Sequence, residues 1–319
     1  MLASPVLPSP APLHIPDGFL SLTVSLICWL LAVLGVGLAL RRTRESLGQR
    51  QVPLMGVLAA FVFAAQMLNF AVAGGTSGHL IGGALVAILL GPWAGILTMT
   101  TVISVQALLF QDGGLLVMGA NILDMGIVAT VVGYGAYFGV TRLAPGKRWG
   151  LFAGGFAGAW LSVVASAAAC ALQLAFSGTF SLRLTLPAML GVHMLIGIGE
   201  GLITTAALAF VASTRRDLME PSDASADGLS WTAAGLALAL MLTLLSPLAS
   251  THPDGLERVA QDLGFIEAAR DAPYEIIPDY VLPGLSNQAL ATIGAGAVGT
   301  LVVTGVALAV AQWRREAVS

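Results

Sequence analysis

Residues 21–44, SLTVSLICWLLAVLGVGLALRRTR, join an uninterrupted apolar run to a cluster of arginines. A transmembrane helix needs about 20 apolar residues, and the run at 21–40 supplies them. Because basic residues accumulate on the cytoplasmic side of a membrane, the arginines mark the inner end of this span. The stretch therefore predicts a membrane helix that begins outside the cell and ends inside it.

The composition extends this interpretation to the whole chain. Of the 319 residues, 57% are hydrophobic and only 10% are charged, whereas soluble globular domains carry about 25% charged residues. No soluble core could bury so much apolar surface, so lipid must surround much of it. The net charge of -3 indicates no nucleic-acid partner. Cys28 and Cys170 lie inside apolar runs, where we expect them to be packing residues.

Apolar runs of similar length recur along the chain. The clear candidates are 21–40, 53–73, 115–140, 150–176, 187–212, 231–249 and 288–312. The stretch 80–110 is also apolar, but Gly91-Pro92 interrupts it with a turn signal. We expect this stretch to form either a full two-helix hairpin or a re-entrant loop shielded by protein. With it, the sequence predicts an all-α polytopic membrane protein of about nine transmembrane helices.

The basic residues orient these spans. Eleven of the 14 lysines and arginines fall in four clusters, which the positive-inside rule places in the cytoplasm. The clusters are Arg41, Arg42, Arg44 and Arg50; Arg142, Lys147 and Arg148; Arg215 and Arg216; and Arg314 and Arg315. This arrangement predicts an outer N-terminus and a cytoplasmic C-terminus, and it requires 80–110 to leave and return on the outer side.

Polar segments divide the chain into modules. Residues 1–12 are Pro-rich and lack the basic flank and apolar stretch of a signal peptide, so we expect a disordered leader or a misassigned start. A seven-helix module is predicted over 13–213 and a polar cytoplasmic linker over 214–230. A two-helix module follows over 231–319 and includes an acidic outer loop at 250–287. That loop is expected to be solvated, although its charge would also attract cations.

The four histidines fall on the outer side of this topology: His14, His79 and His252 in outer segments, and His193 in the outer half of its span. Neutral imidazole is a suitable ligand for nickel, cobalt, zinc and copper. The clustering therefore predicts capture of a divalent transition-metal ion from outside. An isolated histidine is often structural, so the pattern alone leaves both roles open.

Other polar side chains lie at membrane depth, where they are costly and are functional candidates by default. They are Gln66, Asn69, Gln106, Asp112, Asn121, Asp124, Gln173 and Glu200. Asn121 and Asp124 share a helix face. For each of these residues, interhelical hydrogen bonding and a role in metal passage are both open.

The sequence lacks the motifs of an ATPase or of a known hydrolase. The nearest fragment to a P-loop, 144–148, has neither the glycine spacing nor the hydroxyl residue that hold phosphate and magnesium. If transport is driven by ATP, the ATPase site must therefore belong to another subunit, and this chain would be a transporter subunit without its own ATPase site. One alternative is a self-sufficient secondary metal transporter that uses Asp124 and Glu200 as ion relays. Another is an intramembrane metalloenzyme, for which no water-activating constellation is present.

Five motifs, in order, resemble the CbiM/NikM family, the substrate-binding membrane components of energy-coupling-factor (ECF) cobalt and nickel transporters. They are 14–21 HIPDGFLS, 74–79 GGTSGH, 106–110 QALLF, 119–121 GAN and 193–200 HMLIGIGE. The segment 251–257, THPDGLE, with its flanking helices resembles the PDGLE or CbiN/NikN-type accessory component. The resemblance implies a fusion of the two components in a bacterial or archaeal cell membrane. It also implies a nickel or cobalt substrate and, as partners, a transmembrane coupling (T) subunit and cytoplasmic ATPase subunits.

The resemblance further implies the metal ligands. A set of four nitrogens would comprise the imidazoles of His14 and His79, the backbone nitrogen of His14 and the amine of residue 13, a planar arrangement that suits Ni²⁺. Leu13 has a free amine only if the mature chain begins there. Translation that starts at codon 13, cleavage between residues 12 and 13, and an altered ligand set are all open. The second-tier candidates are His193, Asn121 and His252.

Overall fold

The computed structural model describes residues 14–43, 48, 51–215 and 228–316. The predicted leader, Leu13 and most of the predicted linker lie outside the described residues. The helices are α1 (Leu22–Thr43), α2 (Gln51–Gln66), α3 (Gly83–Leu90), α4 (Pro92–Val105), α5 (Met118–Asn121), α6 (Ala129–Leu143), α7 (Arg148–Phe176), α8 (Leu182–Thr214), α9 (Gly228–Thr243), α10 (Gly255–Leu263) and α11 (Gln288–Glu316). Two short strands, β1 (Phe70–Val72) and β2 (Thr76–Gly78), form an antiparallel hairpin.

Six helical stretches in the described residues are long and apolar enough to cross a membrane. They are Leu22–Thr43, Pro92–Phe110, Met118–Leu143, Arg148–Phe176, Leu182–Thr214 and Gln288–Arg314. Two shorter apolar helices, Gln51–Gln66 and Thr232–Leu248, accompany them. The predicted all-α polytopic architecture is confirmed, and the number nine is an approximation.

The predicted break at Gly91-Pro92 separates α3 from α4. Gly91 has a positive φ of 83°, which glycine adopts without strain, and Pro92 opens α4 at a position where its missing N–H costs nothing. With 8 residues, α3 is about 12 Å long, far less than the ~30 Å of a bilayer core. Residues 80–110 therefore form a hairpin of one short helix, which crosses only about half of the bilayer core, and one helical stretch long enough to span it.

The helix predicted over 53–73 ends earlier, at Gln66. The chain then enters the β1–β2 hairpin, which turns through Gly74 and Gly75 with φ values of 84° and 71°. Phe70 pairs with Gly78 at the open end of the hairpin. Two adjacent glycines favour a tight turn over a helical continuation, so the hairpin delivers the residue after β2 into the protein interior.

Two π-helical segments, Gln106–Phe110 and Ile122–Val128, interrupt the long helices on either side of the loop at 111–117. Single π-helical turns of this kind are often found at functional sites. Gln111 has a left-handed φ of 55° and reverses the chain direction after the first segment. The loop between the segments is thereby placed against the N-terminal segment.

Candidate metal centre

His14 and His79 come from separate loops and meet in the interior. Their ring centroids lie 5.6 Å apart with an interplanar angle of 67°. His14 is 2% exposed and His79 is 8% exposed. Both line a cavity of about 70 Å³ that His193 and Asn121 also line. Two imidazoles removed from water and facing one cavity form an arrangement that can hold a divalent metal ion.

The segment that carries His14 is fixed by backbone hydrogen bonds. The Asn121 amide accepts from the Ile15 N–H at 3.0 Å and donates to the Ile15 carbonyl at 3.1 Å. Gly114 donates its N–H to the same carbonyl at 2.9 Å. The Asp17 carboxylate accepts the three N–H groups of residues 115–117 at 2.9–3.2 Å. A Cβ atom at Gly114 would collide with that carboxylate, so the close approach requires glycine.

The segment that follows His79 is held by a different residue. Each oxygen of the Glu200 carboxylate accepts one backbone N–H, from Ile81 at 2.7 Å and from Gly82 at 2.8 Å. Gln66 donates to the Ile81 carbonyl at 2.9 Å. Glu200 is fully buried, and its carboxylate closes the backbone turn that presents His79.

The Nδ1 atom of each cavity histidine is engaged by an acceptor. His14 Nδ1 donates to the Asp112 carbonyl at 3.2 Å and lies 3.5 Å from the carboxylate of the same residue. His79 Nδ1 donates to Asp254 at 3.3 Å, and His193 Nδ1 donates to a carbonyl of the preceding helical turn at 2.8 Å. His14 Nε2 is buried without a hydrogen-bonding partner among the described residues. Metal-binding histidines are commonly oriented in this way, with one nitrogen on an acceptor and the other on the metal.

The two central imidazoles differ in charge preference. Burial lowers the pKa of His14, and the nearby Asp112 offsets only part of this effect. Burial also acts to lower the pKa of His79, but the surrounding carboxylates, chiefly Asp254, together outweigh it and the net shift is upward. Burial acts to raise the pKa of Asp254, but His79, His193 and the Gly255 N–H together outweigh it and lower the pKa of that carboxyl. Protein carboxylates therefore make the cavity favourable for positive charge.

Asp254 belongs to a segment of the C-terminal part of the chain that docks on the β hairpin. The Pro253 carbonyl accepts from the Ser77 N–H at 2.8 Å and from the Thr76 hydroxyl at 3.0 Å. The Ser77 hydroxyl donates to the His252 carbonyl at 2.8 Å. Asp254 also starts α10 as the first member of a capping box. The Pro-Asp-Gly turn thus serves as a helix cap and as the partner of His79.

The predicted site residues that the structure describes divide into two groups. Four of them line the cavity: His14, His79, His193 and Asn121. Of these, Asn121 uses its side-chain amide to bind the Ile15 backbone. The His252 side chain is exposed, and only its backbone takes part in docking. Within the described ranges, no group of three or more His, Cys, Asp or Glu residues forms a ready-made metal cluster. A complete metal centre would therefore need nitrogens other than these side chains, or a movement of the ligands.

Four of the remaining intramembrane candidates have structural partners. Gln173 donates to the Asp124 carboxylate at 2.6 Å, and Ser166 donates to the Asp124 carbonyl at 2.8 Å. These contacts join helices, as does the Gln106 to Gln66 hydrogen bond at 2.8 Å. All four residues therefore make interhelical hydrogen bonds, and Asp124 also lines the cavity.

Three contributors to the site were not predicted from the sequence. Asp254 lies inside the Pro-Asp-Gly motif, which indicated only a turn. Asp112 was one of eight polar residues at membrane depth, without a signal that separated it from the others. Tyr280, whose hydroxyl donates to Asp112 at 2.6 Å, had no sequence signal.

Comparisons with known proteins show which family the chain belongs to. The family described as the cobalt uptake substrate-specific transmembrane region (CbiM) matches residues 14–218, and the PDGLE domain matches 229–315. The chain is 37% identical, over 96% of its length and 100% of the relative, to the "Putative fused nickel transport protein NikMN" of Archaeoglobus fulgidus. It is 30% identical, over 67% of its length and 66% of the relative, to the fused nickel transport protein NikMN of Rhodobacter capsulatus. A crystal structure of a truncated transition metal transporter superposes with a TM-score of 0.56 at 33% identity, covering 63% of this chain and 98% of that one.

Proposed function

Because this chain belongs to the CbiM family of nickel and cobalt transport proteins and carries a fused PDGLE domain, we propose that it is the metal-capturing subunit of an ECF-type importer. Its cargo would be held between His14 and His79. The observation that carries the proposal is the meeting of these two imidazoles, 5.6 Å apart, in a buried cavity. Relatives that share the fused arrangement are named nickel transport proteins, so Ni²⁺ is the first cargo to test and Co²⁺ the second.

The remaining ligands would come from the backbone ahead of the cavity. A free amine at residue 13 and the backbone nitrogen of His14 would complete a planar set of four nitrogens, which suits Ni²⁺. Such a set must use Nδ1 of His14, since only that ring atom is near enough to its own backbone nitrogen to bind the same ion. Nδ1 now donates to the Asp112 carbonyl. Loading would then break this hydrogen bond and free Nδ1 for the ion.

The terminal amine can be tested on the native protein. Its intact mass and amino-terminal residue, measured with bound metal, should correspond to a chain that begins at residue 13. A chain that retains the residues before Leu13 and still binds stoichiometric nickel would exclude the amine as a ligand. His193, which shares the cavity, would then be the first candidate for the missing nitrogen.

The energy source would lie in other subunits. The sequence contains no P-loop motif, so ATP hydrolysis would require separate cytoplasmic ATPases and a transmembrane coupling subunit. The N-terminal segment and the β hairpin would face outside and the basic clusters inside. The ion would therefore be captured from outside and released inward after a conformational change that the coupling subunit imposes.

Uptake of radioactive nickel tests this division of labour. Cells that lack their own nickel importers would express the chain alone, with its coupling and ATPase subunits, or with an ATPase whose catalytic residue is removed. We expect accumulation only with the intact set. Accumulation by the chain alone would instead identify a secondary transporter, and binding without accumulation in any combination would contradict an import function.

A further inference from the structure

Tyr280 enters the protein interior from the outer loop of the C-terminal module. Its side chain is buried and stacks on Phe110 with ring centroids 4.8 Å apart and an interplanar angle of 16°. Both Asp279 and Tyr280 have left-handed backbone conformations, with φ values of 52° and 57°. Non-glycine residues adopt this region at a cost in free energy, and such strain is often found at functional sites. The backbone is therefore held in an unfavourable conformation that directs this ring inward.

The Tyr280 hydroxyl binds the loop at 111–117. It donates to the Asp112 carboxylate at 2.6 Å, a short distance typical of a hydrogen bond to a charged oxygen. Asp112 in turn donates its backbone N–H to the Gln106 carbonyl at 3.2 Å. Gln106 begins the π-helical segment that precedes the loop bearing Asp112, so Asp112 joins the two ends of that reversal.

Asp112 lies between the supports of the two histidine-bearing segments. On one side it receives the His14 N–H through its carbonyl, and its carboxylate lies 3.5 Å from the same nitrogen. On the other side it bonds to Gln106, whose amide donates to Gln66 at 2.8 Å. Gln66 in turn donates to the Ile81 carbonyl, two residues after His79. The residue that the Tyr280 hydroxyl holds thus connects the supports of both imidazoles in a buried, low-dielectric network, where each hydrogen bond is strengthened and each loss is costly.

We propose that Tyr280 is a positioning residue of the metal centre, through which the PDGLE module fixes Asp112 and thereby the His14 imidazole. This inference rests on the proposed function, since it requires the cargo to bind at His14 and His79. In this structure Asp112 accepts the proton on Nδ1 of His14 and so sets the orientation of the ring. With Asp254 on His79, the module then supports both imidazoles.

The test is nickel binding by the purified full-length chain with Tyr280→Phe. This variant keeps the ring that stacks on Phe110 and removes only the hydroxyl. We expect Ni²⁺ affinity to fall by up to about tenfold, the lower end of the loss for the outer partner of a metal ligand, because Tyr280 acts through Asp112. The absorption band of the bound nickel should shift as well, because a reoriented imidazole changes the ligand field. The melting temperature of the metal-free protein checks that the fold is intact.

Tyr274→Phe is the matched control. Tyr274 belongs to the same outer loop and donates its hydroxyl to the Leu108 carbonyl at 2.9 Å, on the same π-helical segment. The Tyr274→Phe variant therefore removes a hydroxyl of the same loop whose hydrogen bond is exposed and lies outside the network. We expect its nickel affinity and spectrum to match those of the unmodified chain. Equal losses in both variants would show that the hydroxyls only dock the loop, and would overturn the proposal.

A double-variant cycle with Asp112→Ala tests the route. If Tyr280 acts through Asp112, adding Tyr280→Phe to Asp112→Ala should weaken binding no further. Additive losses, or an unchanged or tighter affinity in Tyr280→Phe alone, contradict the inference. His79→Ala is measured in the same series. If it binds nickel normally, the proposed site itself is wrong; if it loses binding while Tyr280→Phe does not, only the role of Tyr280 is wrong.

Discussion

The segments that carry His14 and His79 reach the same cavity, but different parts of the chain hold them. The His14 segment is clamped by Asn121 and the amides of residues 115–117 of its own module, and the Arg270 N–H of the C-terminal module adds a bond to the Asp17 carbonyl at 2.8 Å. The His79 segment is clamped by Glu200 on one side and by the Asp254 segment of the C-terminal module on the other. The difference teaches that the His79 imidazole bonds directly to the fused PDGLE domain, whereas the His14 imidazole is linked to it only through Asp112.

Removing either imidazole should have the largest effect on nickel affinity, and the loss should be the same for His14 and for His79. We expect His14→Ala and His79→Ala each to weaken Ni²⁺ binding more than about 100-fold, beyond the loss of an outer partner, because a ligand itself is lost. Titration calorimetry on the purified chain measures this. His252→Ala, which alters an exposed side chain, is the control and should bind normally. If only one cavity histidine mattered, the paired site would be wrong.

Changing the backbone clamps should have the next largest effect. Glu200→Gln replaces one of two accepting oxygens by an NH₂ group and leaves a buried backbone N–H without an acceptor, which costs about 1–3 kcal/mol. Asn121→Asp places a carboxylate against the Ile15 carbonyl and should cost a similar amount. Both should lower the melting temperature and the nickel affinity. Gln261→Ala, on the exposed face of α10, is the control. An equal loss of melting temperature and nickel affinity in that variant would show that Glu200 and Asn121 have no special role as clamps.

Asp254→Asn separates the two roles of the residue that joins the modules. Asparagine caps a helix as well as aspartate, so α10 should remain and the melting temperature should hardly change. The charge beside His79 is lost, and nickel affinity should fall about tenfold, the lower end for an outer partner. Asp254→Ala removes the cap as well and should also lower the melting temperature. Unchanged affinity in both variants would show that the module does not support His79.

The docking contacts of the β hairpin should have the smallest effect. Thr76→Val keeps the side-chain shape and removes the hydroxyl that donates to Pro253, at an expected cost of about 0.5–1.5 kcal/mol. Thr292→Val removes a hydroxyl that bonds only to the preceding turn of its own helix and is the control. Differential scanning fluorimetry compares the two. A larger shift in Thr292→Val than in Thr76→Val would argue against docking through the hairpin.

Much of the architecture could be predicted because hydropathy depends on local composition. The run at 21–40 and the break at Gly91-Pro92 are visible in the sequence, and the motif resemblance to the CbiM and PDGLE families is confirmed. The same hydropathy extended the second helix too far, over residues 67–73, because strand pairing depends on contacts that no local pattern records. The ligand assignment to His14 and His79 stays a prediction, which their proximity supports.

The outer supports of the site could not be predicted for a related reason. Asp254 approaches His79 from 175 positions away, and Tyr280 approaches Asp112 from 168 positions away. Hydrogen bonds from side chains to distant partners leave no periodicity in the sequence. The partners are brought together by packing and by local backbone conformations, such as the left-handed φ of Tyr280.

The distance in sequence between His79 and Asp254 has a consequence for biosynthesis. Translation proceeds at about 5–20 residues per second, so the 175 residues between them take about 9–35 s to synthesise. During that interval the nascent chain already contains both imidazoles but cannot yet cover them. A contact of such long sequence separation also closes late in folding. Because the PDGLE part follows the CbiM part in one polypeptide, the order of synthesis delays closure of the cavity until the C-terminal part has been made.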